Sequence, residues 1–144
     1  MANGAPAPLL YAASGQINLV LPFGLTGDKV HLELYRNALL VTQFDELLIP
    51  QHAGAFATGT PILGSLAPLN QNGTVNSDSN PAAPGTIVSI FVIGLGVMTP
   101  QLPDGAAPAV AANTPVMPAY VYVNSQRAEV LYIGNAPTLV QGVV

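Results

Sequence analysis

"GQINLVLPFGLTGDKVHLELYR", residues 15 to 36, alternates apolar and polar side chains twice, with a short break between the two runs. In the first run Ile17, Leu19, Leu21 and Phe23 fall on one face. In the second, Val30, Leu32 and Leu34 oppose Lys29, His31, Glu33 and Tyr35. A period of two is that of a half-buried β-strand, and the intervening "GLTGD" is turn chemistry. Working outward, "ALLVTQF" and "ELLIP" predict further strands, with the adjacent Asp45 and Glu46 as a polar break between them. "QHAGAFATGTPILGSLAP" predicts loop with one short strand. "GTIVSIFVIG" is apolar on both faces, as a central sandwich strand would be. "LPDGAAPAVAANTPVMP" predicts a second long loop, "AYVYVNSQRAEVLYIG" a hairpin about "NSQR", and "TLVQGVV" a last strand. Fourteen glycines and fourteen prolines leave few stretches long enough for a helix. Six to eight short strands joined by long loops predict an all-β, immunoglobulin-like β-sandwich. Without cysteine or tryptophan it is not an antibody-type domain.

The composition narrows the function classes. Of the 144 residues, 7% are charged, against about 25% in an ordinary domain. Half are apolar and the mean hydropathy is positive, which sets the chain apart from disordered acidic tails. Lys29, Arg36 and Arg127 against seven acids give no basic patch, which argues against nucleic acid and against an anionic membrane surface. "IVSIFVIGLGVM", residues 87 to 98, is too short for a bilayer helix and is interrupted by Ser89, Gly94 and Gly96. Low surface charge does little to hold copies apart, so self-association is expected. The absence of cysteine removes disulfides and thiolate chemistry and leaves stability to packing. "MANGAPAPLL" lacks the basic and long apolar regions of a secretory signal, as in a mature form, an excised segment or a protein that never had one.

An internal repeat is visible. "NGAPAPLLYAASGQ" laid on "NSQRAEVLYIGNAP" matches Asn3 with Asn124, Ala7 with Ala128, Leu10 with Leu131 and Tyr11 with Tyr132. "NGAPAPLLYAASGQINLVLPFGL", "APLNQNGTVNSDSNPAAPGTIVSIFVIGLGVMTP" and "VYVNSQRAEVLYIGNAP" together resemble the repeated C-terminal module of secreted acidobacterial proteins, the Solibacter-type domain family of uncharacterised function. The resemblance covers most of the chain. It implies immunoglobulin-like sandwiches of the IPT/TIG type and an extracellular or cell-surface location, and it supplies no catalytic residue. It also implies a division into residues 1 to 68, the later strands of a first unit, 69 to 82, a polar connector, and 83 to 144, the early strands of a second. Two outcomes then follow. The halves complete each other within one chain as a permuted sandwich, or between chains as a head-to-tail assembly.

The candidate chemical sites are few. "LNQNGTVNSDSNP", residues 69 to 81, has the oxygen-rich look of a calcium loop. With Gly73 as the sixth residue, however, position one is Pro68, position twelve is Ser79, and Asp78 alone supplies negative charge. "NGT" makes Asn72 a candidate glycosylation site. The plain reading is a connector whose Asn, Asp, Gly and Ser satisfy their own backbone in turns. His31 and Glu33 share a strand face but lack a third ligand of known position, His52 being the sole other histidine. Asp45 and Glu46 are adjacent and point to opposite faces, which excludes an acid/base pair across a substrate. "GLG" at 94 to 96 lacks the third glycine of a dinucleotide motif, and no nucleophile elbow occurs. No enzyme, metal or cofactor is expected. Tyr120, Tyr122 and Asn124 alternate on one strand face and form a candidate ligand platform, most suited to carbohydrate, although tyrosines at this spacing also serve as ordinary cross-strand partners. The primary expectation is self-assembly, with Leu139, Val140, Val143 and Val144 pairing near Ile17, Leu19 and Leu21 to give an oligomer or filament.

Overall fold

The computed structural model describes residues 1–58 and 65–144. The described chain is all-β and antiparallel throughout. Two hairpins carry most of the regular structure: β1 (Leu9–Ala13) with β2 (Gln16–Leu19), and β3 (Lys29–Arg36) with β4 (Leu39–Leu47). Ten two-residue strands follow, β5 (Gly54–Ala55), β6 (Ala57–Thr58), β7 (Ser65–Leu66), β8 (Leu69–Asn70), β9 (Val88–Ser89), β10 (Val92–Ile93), β11 (Met98–Thr99), β12 (Thr114–Pro115), β13 (Tyr122–Val123) and β14 (Gln126–Arg127). They pair β5 with β10, β6 with β7, β8 with β9, β11 with β12 and β13 with β14.

The alternation at 15 to 36 lies on real strands, but the two runs do not pair with each other. Gln16–Leu19 pairs back onto Leu9–Ala13, with a bulge between Leu9 and Tyr11, and β3 pairs forward onto β4. β4 runs unbroken from Leu39 to Leu47, so Asp45 and Glu46 lie inside it, opposite His31 and Val30. The expected polar break is absent because β3 supplies a partner along the whole length. Asn37 and Ala38 turn the hairpin at φ +50° and +61°, the left-handed pair whose twist matches the flanking strands. Residues 1 to 3 add a third row on the other edge of β3. Met1 and Glu33 exchange both backbone hydrogen bonds, and Asn3 closes on His31 through its amide N–H and its side-chain Oδ1. Ala2 is thereby fully buried and Val30 nearly so.

The second half departs further from expectation. "GTIVSIFVIG" is not a buried central strand: it is reduced to β9 and β10, and Ile87 and Ile93 are each about half exposed. "TLVQGVV" is a turn in place of a strand, and only Val144 joins a ladder, exchanging both hydrogen bonds with Val92. The 102 to 118 loop contains β12. Part of the loop predicted at 51 to 68 lies outside the described residues. The two halves meet within the chain along 50 to 56 and 91 to 98, through β5 with β10, His52 N–H to Gly94 C=O and Phe56 N–H to Phe91 C=O. Gly94 and Gly96, at φ +75° and +80°, permit this join. A Cβ on Gly94 would sit 2.1 Å from the His52 carbonyl oxygen, and one on Gly96 2.4 Å from that of Pro50.

The core is small. Among the described residues its buried hydrophobic side chains are Ala2, Val30, Leu95, Met98 and Ala136. The chain exposes 10040 Å². A compact monomer of 14.7 kDa would expose about 6,900 Å².

Candidate interaction surfaces

Three surfaces carry the residues singled out in the sequence. The first is apolar. Ile17, 37% exposed, helps line a groove of about 800 Å³ between the β1–β2 hairpin and Leu34, Tyr35 and Val41 of the β3–β4 hairpin. Leu19 is half-buried and Leu21 exposed. Leu139, Val140 and Val143 line a second apolar groove, about 350 Å³, together with Phe56 and Phe91. Val144 is half-buried on Val92. Ile17 of the one candidate assembly set and Leu139, Val140 and Val143 of the other thus line different grooves. Phe56 and Phe91 were not singled out, because nothing local in the sequence ties them to the tail.

The second surface is the β13–β14 hairpin. Asn124 and Ser125 turn it at φ +49° and +65°, so Asn124 belongs to the turn. Tyr122 pairs with Arg127 across the strands and is 62% exposed. The Arg127 guanidinium lies 4.3 Å from the centre of the Tyr120 ring, a cation–π contact. One face of Tyr120 is thus taken by Arg127, and Tyr122 is the open aromatic. A hairpin about "NSQR" places Arg127 opposite Tyr122, which is the signal that could have added Arg127 to the platform.

The third is the polar face of β3–β4. His31 and Glu33 do not converge as ligands. The His31 Nδ1 is 2.6 Å from Asp45 Oδ1, and the Tyr35 hydroxyl donates to Glu33 Oε1 at 3.1 Å. The hydrogen bond to Asp45, with the nearby charges of Asp45 and Glu33, raises the His31 pKa above 6.5, and the Glu33 contact raises that of Tyr35. Among the described residues no group of three potential metal ligands occurs.

The 69 to 81 segment holds itself together. Asn70 Nδ2 donates to Asn80 C=O, Asn76 Nδ2 to Asn70 Oδ1, and Asn80 Nδ2 to Val75 C=O and Thr74 Oγ1. The Asn70 side-chain oxygen, a would-be ligand, already accepts from Asn76. Asn72 is exposed, its Oδ1 accepting from the Thr74 amide and hydroxyl. Nearer the C-terminus, buried Asn135 orders the 110 to 113 loop, accepting from the Ala112 and Asn113 amides and donating to Val110 C=O.

No helix among the described residues is long and apolar enough to cross a membrane. Compared with family models, with curated proteins and with solved structures, the chain matches none.

Proposed function

We propose that the chain is a non-catalytic, extracellular structural subunit of immunoglobulin-like IPT/TIG type that assembles with its own copies, each completing sheets left open on the next to give an oligomer or filament. The observation that carries this reading is the surface. The chain exposes about 3,100 Å² more than a compact monomer of its mass, no sheet among the described residues exceeds two named strands, and large apolar side chains stand exposed along both main hairpins. Unpaired strand edges and apolar grooves of this kind are what a neighbouring chain covers. The seven per cent charged content gives no electrostatic barrier to that contact. The cell-surface placement rests on the family resemblance.

The test is the native mass by light scattering, with negative-stain microscopy of the same sample. A polymer that shortens on dilution is the expected result. A monomer at every concentration overturns the proposal and moves the function to the second reading, a carbohydrate- or protein-binding accessory module. The exposed Tyr122 beside the Arg127–Tyr120 stack favours that alternative.

A further inference from the structure

The first and last hairpin turns are two copies of one device. Asn3 and Gly4, at φ +48° and +78°, are closed by a bridge between Ala2 and Ala5. Asn124 and Ser125 are closed in the same way by Val123 and Gln126. The alignment of Asn3 with Asn124 therefore holds in space as well as in sequence. Carried downstream, it places Leu9 on Val130, Leu10 on Leu131, Tyr11 on Tyr132 and Ala13 on Gly134. The local irregularity matches too: β1 bulges between Leu9 and Tyr11, and the second copy bends at Leu131.

The two copies differ in one respect. The first becomes β1 and is paired with β2. The second has no strand partner, and among the described residues no backbone N–H or C=O from Glu129 to Gly134 makes a hydrogen bond. Val130, Leu131 and Tyr132 are 40%, 67% and 55% exposed, whereas Ile133 is half-buried and Gly134 buried against Asn113 and Tyr132, so the open part is Glu129–Tyr132. Six consecutive peptide groups with neither a ladder nor a cap are unusual in a folded chain, where nearly every such group is paired or solvated.

A matching edge stands open elsewhere. The Val20 N–H points to Pro8 C=O, so by strict alternation the N–H and C=O of Gln16 and Asn18 face β1, while those of Ile17 and Leu19 face away. That outer edge of β2 has no partner among the described residues. We infer that the edge Glu129–Tyr132 of one copy pairs with the outer edge of β2, Gln16–Leu19, of the next. The repeat favours a strand of this sequence as the occupant, because β2 already satisfies the equivalent segment at Leu9–Ala13, there through its Gln16 and Asn18 side. The charges permit it, since Glu129 is the one ionisable side chain among the residues of the two edges apart from the tyrosine. The area permits it as well: a standard interface takes about 800 Å² from each partner, and a subunit joined at both ends fits within its excess exposure. Donor and acceptor edges are different surfaces, so the contact is heterologous and propagates.

The inference rests on the assembly reading and adds where the join lies. Its test uses the full chain as wild type, Ile17→Pro and Leu131→Pro. Each proline removes an N–H that makes no hydrogen bond within the chain, so the internal ladders stay intact. Native mass is measured for all three, and amide hydrogen exchange for the wild type in assembled and dilute states. Expected is a wild-type polymer, folded proline variants with assembly weakened about tenfold or more, and exchange slowed on assembly at Ile17, Leu19 and 129 to 132. Assembly of both variants at wild-type strength, with protection falling elsewhere, overturns the edge assignment and leaves the assembly reading standing. Protection of 129 to 132 already in the dilute monomer also overturns it, because the chain would then close its own edge. A wild-type monomer at all concentrations overturns both. Should a proline chain fail to fold, the wild-type exchange pattern decides alone.

Discussion

The β3–β4 hairpin carries Lys29, Glu33, Arg36, Asp45 and Glu46, the stretch from Ile87 to Val97 carries no charge, and it is the less apolar of the two that is the better ordered. In the hairpin every residue from Lys29 to Arg36 has a cross-strand partner, and residues 1 to 3 cover the second edge of β3. In the later stretch only Val88–Ser89 and Val92–Ile93 are paired as strands, and glycines at positive φ divide the rest. Apolar content is therefore a poor guide to order here. What separates the two regions is whether a strand partner lies close in sequence: β4 follows β3 after a two-residue turn, whereas the partners of β9 and β10 come from residues 54 to 70. Closing long loops costs entropy before any contact is made.

The largest effect should come from attacking the long-range join. Gly94→Ala places a methyl group 2.1 Å from the His52 carbonyl at φ +75°, adding left-handed strain to a backbone clash. A loss of about 2–5 kcal/mol is expected in urea denaturation. Equal stability to wild type would mean that the join of the two halves contributes nothing.

Side-chain truncation sharpens the same contrast. Met98 is 1% exposed and Leu39, within the well-paired hairpin, 73%. Met98→Ala should destabilise by about 2–5 kcal/mol, while Leu39→Ala should change stability by about 0.5 kcal/mol or less. The reverse order, read from denaturation midpoints, would show that ladder pairing outweighs core burial in this chain.

The smallest effect is the pH response of the hairpin face. His31 faces Asp45 across the strands, with Glu33 and Gln43 beside it. Its pKa is raised by the Asp45 hydrogen bond, so the stabilisation is complete below the ordinary histidine value and is lost as pH rises through the raised one. NMR titration of His31 should give a midpoint above 6.5, and Asp45→Asn should bring it back toward that value. An unshifted midpoint in the wild-type chain would remove the pair from the account of the hairpin.

Much of this was legible in the residues. Alternation marked β2 and β3, the "NSQR" turn was placed within a residue or two, and the 69 to 81 segment read as self-satisfying polar turns, in which the Asn70 and Asn80 side chains do donate to backbone carbonyls. The repeat paired Asn3 with Asn124, and both occupy the same turn position. The Asp45–Glu46 break failed because a neighbouring strand can carry polar residues through a ladder. The strand expected at "TLVQGVV" failed because Val144 alone reaches Val92 while Gln141 is buried among the turns before it.

By itself the sequence determined the all-β class, the strands at β2 and β3, the turn of the β13–β14 hairpin and the low charge. These follow from side-chain period, from turn residues able to take left-handed backbone, and from composition, all of them local or summed quantities. Only the tertiary structure decided which strands pair, that the runs at 15 to 23 and 29 to 36 turn away from each other, and that the edge at 129 to 132 stays open while its repeat at Leu9–Ala13 is filled. Pairing joins residues far apart in the chain, and every exposed edge offers the same N–H and C=O groups, so alternation alone is satisfied by more than one partner.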